Sequence, residues 1–119
     1  MGRLRLAIVA GVLVIFIAVG AYLIFGNQKP APQNRTFDVT VTGGTSMNPN
    51  ELKVNQDDTV TINVTSDTDG EVHLHLYDIT FNTKAGQTVS HTFKSDKTCT
   101  CDMEWESTST GLGRLVVNP

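Results

Sequence analysis

Val72-His73-Leu74-His75-Leu76-Tyr77-Asp78-Ile79-Thr80-Phe81 decides the fold of this chain. Its apolar residues fall at 72, 74 and 76, then at 79 and 81, with polar residues between them. A period of two is the mark of a strand with one face buried. The same alternation recurs at Phe37, Val39 and Val41, and again at Val60, Ile62 and Val64. Turn-forming clusters separate these runs: Gly43-Gly44, Asn48-Pro49-Asn50, Asp67-Thr68-Asp69-Gly70 and Ala85-Gly86-Gln87. No helical period of useful length and no internal repeat follows residue 26. The pattern predicts an all-β sandwich or barrel of about seven strands.

The alternation also sorts the metal-ligating side chains. His73 and His75 share a face, opposite to that of Val72, Leu74 and Leu76. Cys99 and Cys101 share a face as well, and Met103 follows on it. Imidazole, thiolate and thioether together suit copper, and copper(I) above all. Each residue also has a plainer reading. The His pair is solvated surface, Met103 is core, and the cysteines are inert or joined in a disulfide, which an extracytoplasmic location permits. On an extended strand, Cα atoms two residues apart are about 6.6 Å from each other and their Cβ vectors run nearly parallel, which disfavours a bridge. Such a bridge calls for a turn or bulge, which Lys97-Thr98 can supply. Met47, in the turn before Asn48-Pro49, is a further candidate ligand, and His91 is either buried or a weaker one. Trp105 and Glu106 read as core and surface. Two matches to glycosylation acceptors, Asn34-Arg35-Thr36 and Asn63-Val64-Thr65, are of a kind common by chance.

Ahead of this domain, Leu6 to Phe25 is a run of 20 residues without a charge. About 20 apolar residues span a bilayer core as a helix. Arg3 and Arg5 precede the run and favour a cytoplasmic N-terminus. Residues 1–25 are therefore expected to be a single-pass anchor, with the C-terminal domain in the periplasm or at the cell surface. A signal peptide cut near Ala18-Val19-Gly20-Ala21 is the rival reading, although signal cores are usually shorter. Residues 26–35 carry two prolines and read as an extended linker. Residues 36–119 hold all twelve acids of the chain against Lys53, Lys84, Lys94, Lys97 and Arg114, a net charge of −7. Such a balance argues against nucleic acid or anionic lipid as a partner and is compatible with a cation or a cationic partner.

The ordered set Phe37-Asp-Val-Thr-Val41, Gly43-Gly44, Pro49, Leu52-Lys-Val54, Asp58-Thr-Val-Thr-Ile62, Ser66-Asp67, His73-Leu-His-Leu-Tyr-Asp78, Ala85-Gly86, Phe93 and Leu112-Gly-Arg-Leu-Val-Val117 resembles the cupredoxin-like proteins. The resemblance covers nearly all of residues 36–119 and implies a Greek-key β-sandwich that binds copper. Its layout of anchor, short linker and domain is similar to that of tethered copper chaperones. The chain departs from the family at several positions: it has Cys99 and Cys101 where related domains commonly carry Gly and an aromatic, and Glu106 where they often have His. Blue-copper members place Cys, His and Met in the last long loop, where this chain has Glu104-Trp-Glu-Ser-Thr-Ser-Thr-Gly111 and none of the three. Two alignments of the last strands follow. One places Trp105 at the usual Cys position, and the other places Cys101 there, facing His73 or His75.

No nucleophile elbow, phosphate loop, zincin motif or dinucleotide fingerprint is present, so no enzyme is read from the sequence. Three functions stay open. The first is a tethered protein that buffers copper(I) or hands it to a donor or acceptor partner. The second is a metal-free accessory module, and the third an electron carrier with an atypical copper centre. A copper site shared across a homodimer is compatible with each metal-binding reading.

Overall fold

The computed structural model describes residues 29–119, and the apolar run Leu6–Phe25 and the start of the linker lie outside the described residues. Nine strands form the domain: β1 (Asn34–Thr42), β2 (Ser46–Asn48), β3 (Glu51–Asn55), β4 (Thr59–Ser66), β5 (Gly70–Leu74), β6 (Ile79–Thr83), β7 (Thr88–Lys94), β8 (Cys99–Trp105) and β9 (Thr110–Asn118). One sheet has the order β2-β1-β4-β7, the other β3-β9-β8-β5-β6. The pairs β1–β4 and β3–β9 are parallel and the rest antiparallel. The domain is all β, as the period of two predicts. It has nine strands rather than about seven, because a piece as short as β2 holds too few residues to display an alternation. Among the described residues no helix is long and apolar enough to cross a membrane.

The core lies between the sheets. Val39, Val41, Val60, Ile62 and Val64 enter it from one sheet, and Leu52, Val72, Leu74, Phe81, Met103 and Leu115 from the other. Each fully buried side chain of this kind contributes about 1.5–3 kcal/mol. The Trp105 indole lies over two glycines. A Cβ on Gly44 would sit 2.7 Å from its Cε2, and one on Gly70 would also collide with the ring.

Strand β1 starts at Asn34, inside the stretch read as linker. The Thr59 N–H donates to the Gln33 carbonyl at 2.9 Å, and the Gln33 N–H donates to Asp58 Oδ1 at 2.8 Å. Asp58 is buried. Its carboxylate also accepts from the Asn55 N–H (2.9 Å) and from Arg35 Nε (3.4 Å). These donors hold its pKa below the ordinary value, the Gln33 N–H most of all and against the opposing effect of burial.

One apolar residue escapes the pattern. Strand β5 ends at Leu74, and Leu76 is 57% exposed. The connection through His75–Asp78 turns sharply, with φ of 69° at Leu76 and 53° at Asp78. Tyr77 points inward in its place. It packs on Phe93 with ring centroids 5.1 Å apart, donates its hydroxyl hydrogen to the Lys97 carbonyl (2.6 Å) and accepts from the Lys97 N–H (3.0 Å). Desolvation by burial raises the Tyr77 phenol above its ordinary pKa.

Candidate metal centre

The register of the second sheet assembles the site. Val72 lies opposite Trp105, His73 opposite Glu104 and Leu74 opposite Met103. The His75 N–H donates to the Asp102 carbonyl at 3.0 Å, which carries the pairing one residue past the end of β5. The alternation of β8 sends Cys101, Met103 and Trp105 inward and Thr100, Asp102 and Glu104 outward. Glu104 thus shares the outer face of the sheet with His73 and His75. A register shift of β8 against β9 falls between Met103 and Glu104, where Met103 pairs with Gly113 and Glu104 with Gly111. Bulges of this kind re-aim side chains beside functional sites.

On that face the two imidazole centroids are 4.7 Å apart, edge to face. One ligand atom from each of His73, His75 and Glu104 lies within 4.8 Å of the other two. His75 Nε2 is 3.0 Å from Glu104 Oε1. Two donors bound to one ion at about 2.0–2.1 Å stand roughly 3 Å apart, so an ion fits in place of the proton between them. His73 Nε2 is 2.8 Å from Asp78 Oδ1, and its Nδ1 is 3.8 Å from Glu106 Oε2. Glu106 opens the single 3₁₀ turn, Glu106–Thr108, that follows β8. Two imidazoles surrounded by three carboxylates make a borderline-to-hard donor set suited to a divalent ion, copper(II) or zinc.

The soft ligands are placed otherwise. Cys99 and Cys101 are joined in a disulfide, with Cα atoms 5.4 Å apart. This corrects the expectation that strand geometry disfavours the bridge. The strand is contracted here to well within the usual bridging range. A thiolate pair is therefore not what this structure offers a metal. Cys101 pairs with Leu115 of β9, and on the β5 side His73 stands opposite Glu104 and Val72 opposite Trp105, so no pairing among the described residues sets Cys101 against a histidine. Cys101 and Met103 are buried on the core side of the sheet, and Cys99 packs against the core at half exposure. Met47 is also buried in the core, with its methyl group against Gly113. His91 stacks edge-on against Phe81, with centroids 4.9 Å apart. Of the expected ligands, His73 and His75 meet as candidate metal donors, whereas Cys99 and Cys101 meet only in their disulfide. Glu104 was missed as a ligand, and Glu106 was read as surface. The period of two that puts Cys101 and Met103 on one face puts Glu104 on the other, which is the signal that could have found it.

No family model and no curated protein sequence matches this chain. Solved structures do. A copper-binding protein solved by NMR in its apo form superposes with a TM-score of 0.61 at 11% identity, over 76% of this chain and 92% of that one. The domain has a cupredoxin-like fold. A blue copper oxidase from Nitrosomonas europaea aligns with this cupredoxin-like domain at 21% identity and a TM-score of 0.52, over 72% of this chain and 39% of the oxidase. The chain thus spans well under half of that oxidase. A chain of a heme-copper terminal oxidase dimer aligns over 97% of both sequences, at 14% identity and a TM-score of 0.50.

Proposed function

We propose that this chain is a membrane-tethered, extracytoplasmic copper-binding protein whose cupredoxin-like domain holds the metal on the outer face of its second sheet. The observation that carries the reading is the convergence of His73, His75 and Glu104 to within 4.8 Å. Copper-binding proteins among the structural neighbours support the choice of metal. The donor set favours copper(II) over the copper(I) expected from the thiols, since two imidazoles and carboxylates suit the divalent ion. When bound, copper would supply a one-electron couple or a transferable ion, and the chain's own residues hold and orient it. The anchor rests on the uncharged run Leu6–Phe25 and on Arg3 and Arg5.

The test is copper(II) titration of the full chain against a competing chelator, with electron paramagnetic resonance of the bound ion. His75→Ala and Glu104→Gln should each weaken binding by about tenfold or more, the loss seen even for outer-sphere partners of metal sites. Nitrogen couplings should fall on removal of His75. Unchanged affinity and spectrum in both variants would end this reading. A second reading is favoured by the near-full-length match to a chain of a terminal oxidase. In it the chain is a metal-free accessory subunit of a membrane oxidase. Absence of copper binding, together with co-purification with a haem protein, would select it.

A further inference from the structure

Resting on that copper reading, we infer that Glu106 completes the centre as a fourth protein donor, and that Asp78 acts as a positioning residue that makes Nδ1 the ligating atom of His73. An ionised carboxylate only accepts hydrogen bonds. Asp78 Oδ1 stands 2.8 Å from His73 Nε2, so in the neutral ring Nε2 must carry the hydrogen. The lone pair is then left on Nδ1, the nitrogen that faces Glu106 Oε2 at 3.8 Å. Carboxylate, histidine and metal in series is the usual way in which an outer carboxylate fixes the tautomer and ring orientation of a ligand.

Two features suit Asp78 to this role. The turn brings it back over β5, five residues from His73, through a backbone with φ of 53°, which Asp tolerates better than most residues. Its side chain is 91% exposed, so it is not there to fill the core. Glu106 is half-exposed, and among the described residues its carboxylate has His73 as its only ion-pair partner. The separation of 3.8 Å is wider than that of adjacent donors and close to the roughly 4 Å between donors on opposite sides of one ion, each about 2 Å from it. Added to His73, His75 and Glu104, the three whose ligand atoms already lie within 4.8 Å of one another, Glu106 would give a set of two nitrogen and two oxygen donors, one for copper(II) or zinc rather than copper(I).

The tautomer is read without any metal, by long-range ¹H–¹⁵N correlation of the imidazoles in the full apo chain. His73 should show Nε2–H at neutral pH. Asp78→Gly, which keeps the positive φ without strain, should abolish that preference and weaken copper(II) binding by about tenfold. Glu106→Gln should weaken copper(II) by a similar factor, reduce the oxygen donors seen by pulsed resonance, and leave the melting temperature and the tautomer unchanged. An Nδ1–H tautomer in the parent, or an unchanged tautomer and affinity in Asp78→Gly, overturns the role of Asp78. Parent affinity in Glu106→Gln overturns its role as a donor. If these fail while His75→Ala still weakens binding tenfold or more, only this inference falls. If His75→Ala also binds as the parent does, the copper reading falls with it.

Discussion

At the scale of single residues, Asp58 shows how one buried carboxylate ties the start of the domain to its core. It accepts from the Gln33 and Asn55 N–H groups and from Arg35, so its loss leaves two backbone donors without their partner. Asp58→Ala should cost about 2–4 kcal/mol at neutral pH. Because the folded-state pKa is lowered, the stabilisation is complete above the ordinary value of 3.8 and is lost as pH falls from there through the folded value. A plot of melting temperature against pH should therefore show the parent and Asp58→Asn converging on the acid side. A constant gap between them down to the lowest pH would contradict this account. The cysteines make a second residue-scale case. Their bridge spans a single intervening residue. On the chain-entropy model such a loop is worth only about 1–2 kcal/mol, so the reduced chain should stay folded. Cys99→Ala with Cys101→Ala should also leave copper(II) affinity within about twofold, as separated sites usually behave independently. A loss of tenfold would return the thiols to the centre.

At the scale of elements, β8 is the strand to understand, because it serves the core with one face and the candidate centre with the other. Met103 is fully buried and directly opposite Leu74. Met103→Ala should lower stability by about 2–5 kcal/mol while the folded fraction binds copper as before. Urea unfolding followed by copper titration under native conditions separates the two effects, and a loss of copper binding by folded protein would place Met103 in the site. The same strand shows what the sequence made legible. That His73 and His75 face away from Val72 and Leu74, and that Met103 follows Cys101 on one face, were both readable from parity alone. Parity does not say which residue of β8 stands across from which residue of β5. That pairing, His73 to Glu104, depends on hydrogen bonds between segments some thirty residues apart. The end of β5 was hidden for a related reason. Leu76 keeps the apolar period, but the inward hydrogen bonds of Tyr77 to Lys97 decide where the chain turns. Ideal strand spacing disfavours the bridge, and the real strand contracts here to a Cα separation of 5.4 Å.

At the scale of the whole molecule, charge does what no single contact can. Residues 36–119 carry a net charge of −7, and three of their twelve acids, Asp78, Glu104 and Glu106, surround two imidazoles on one face. A field of this sign concentrates cations near the site and repels polyanions. Two consequences can be measured on one preparation of the full chain. The association rate of copper(II) should fall as salt rises, because the Debye length shrinks from about 30 Å at 0.01 M to about 10 Å at 0.1 M and the more distant acids drop out. Short single-stranded or duplex DNA should not bind even at low salt, because the domain's net charge of −7 repels the phosphates. A copper association rate indifferent to salt would mean that only the immediate ligands act on the ion. A salt-sensitive DNA complex would mean that the five basic residues, and not the twelve acids, set the field that a partner meets.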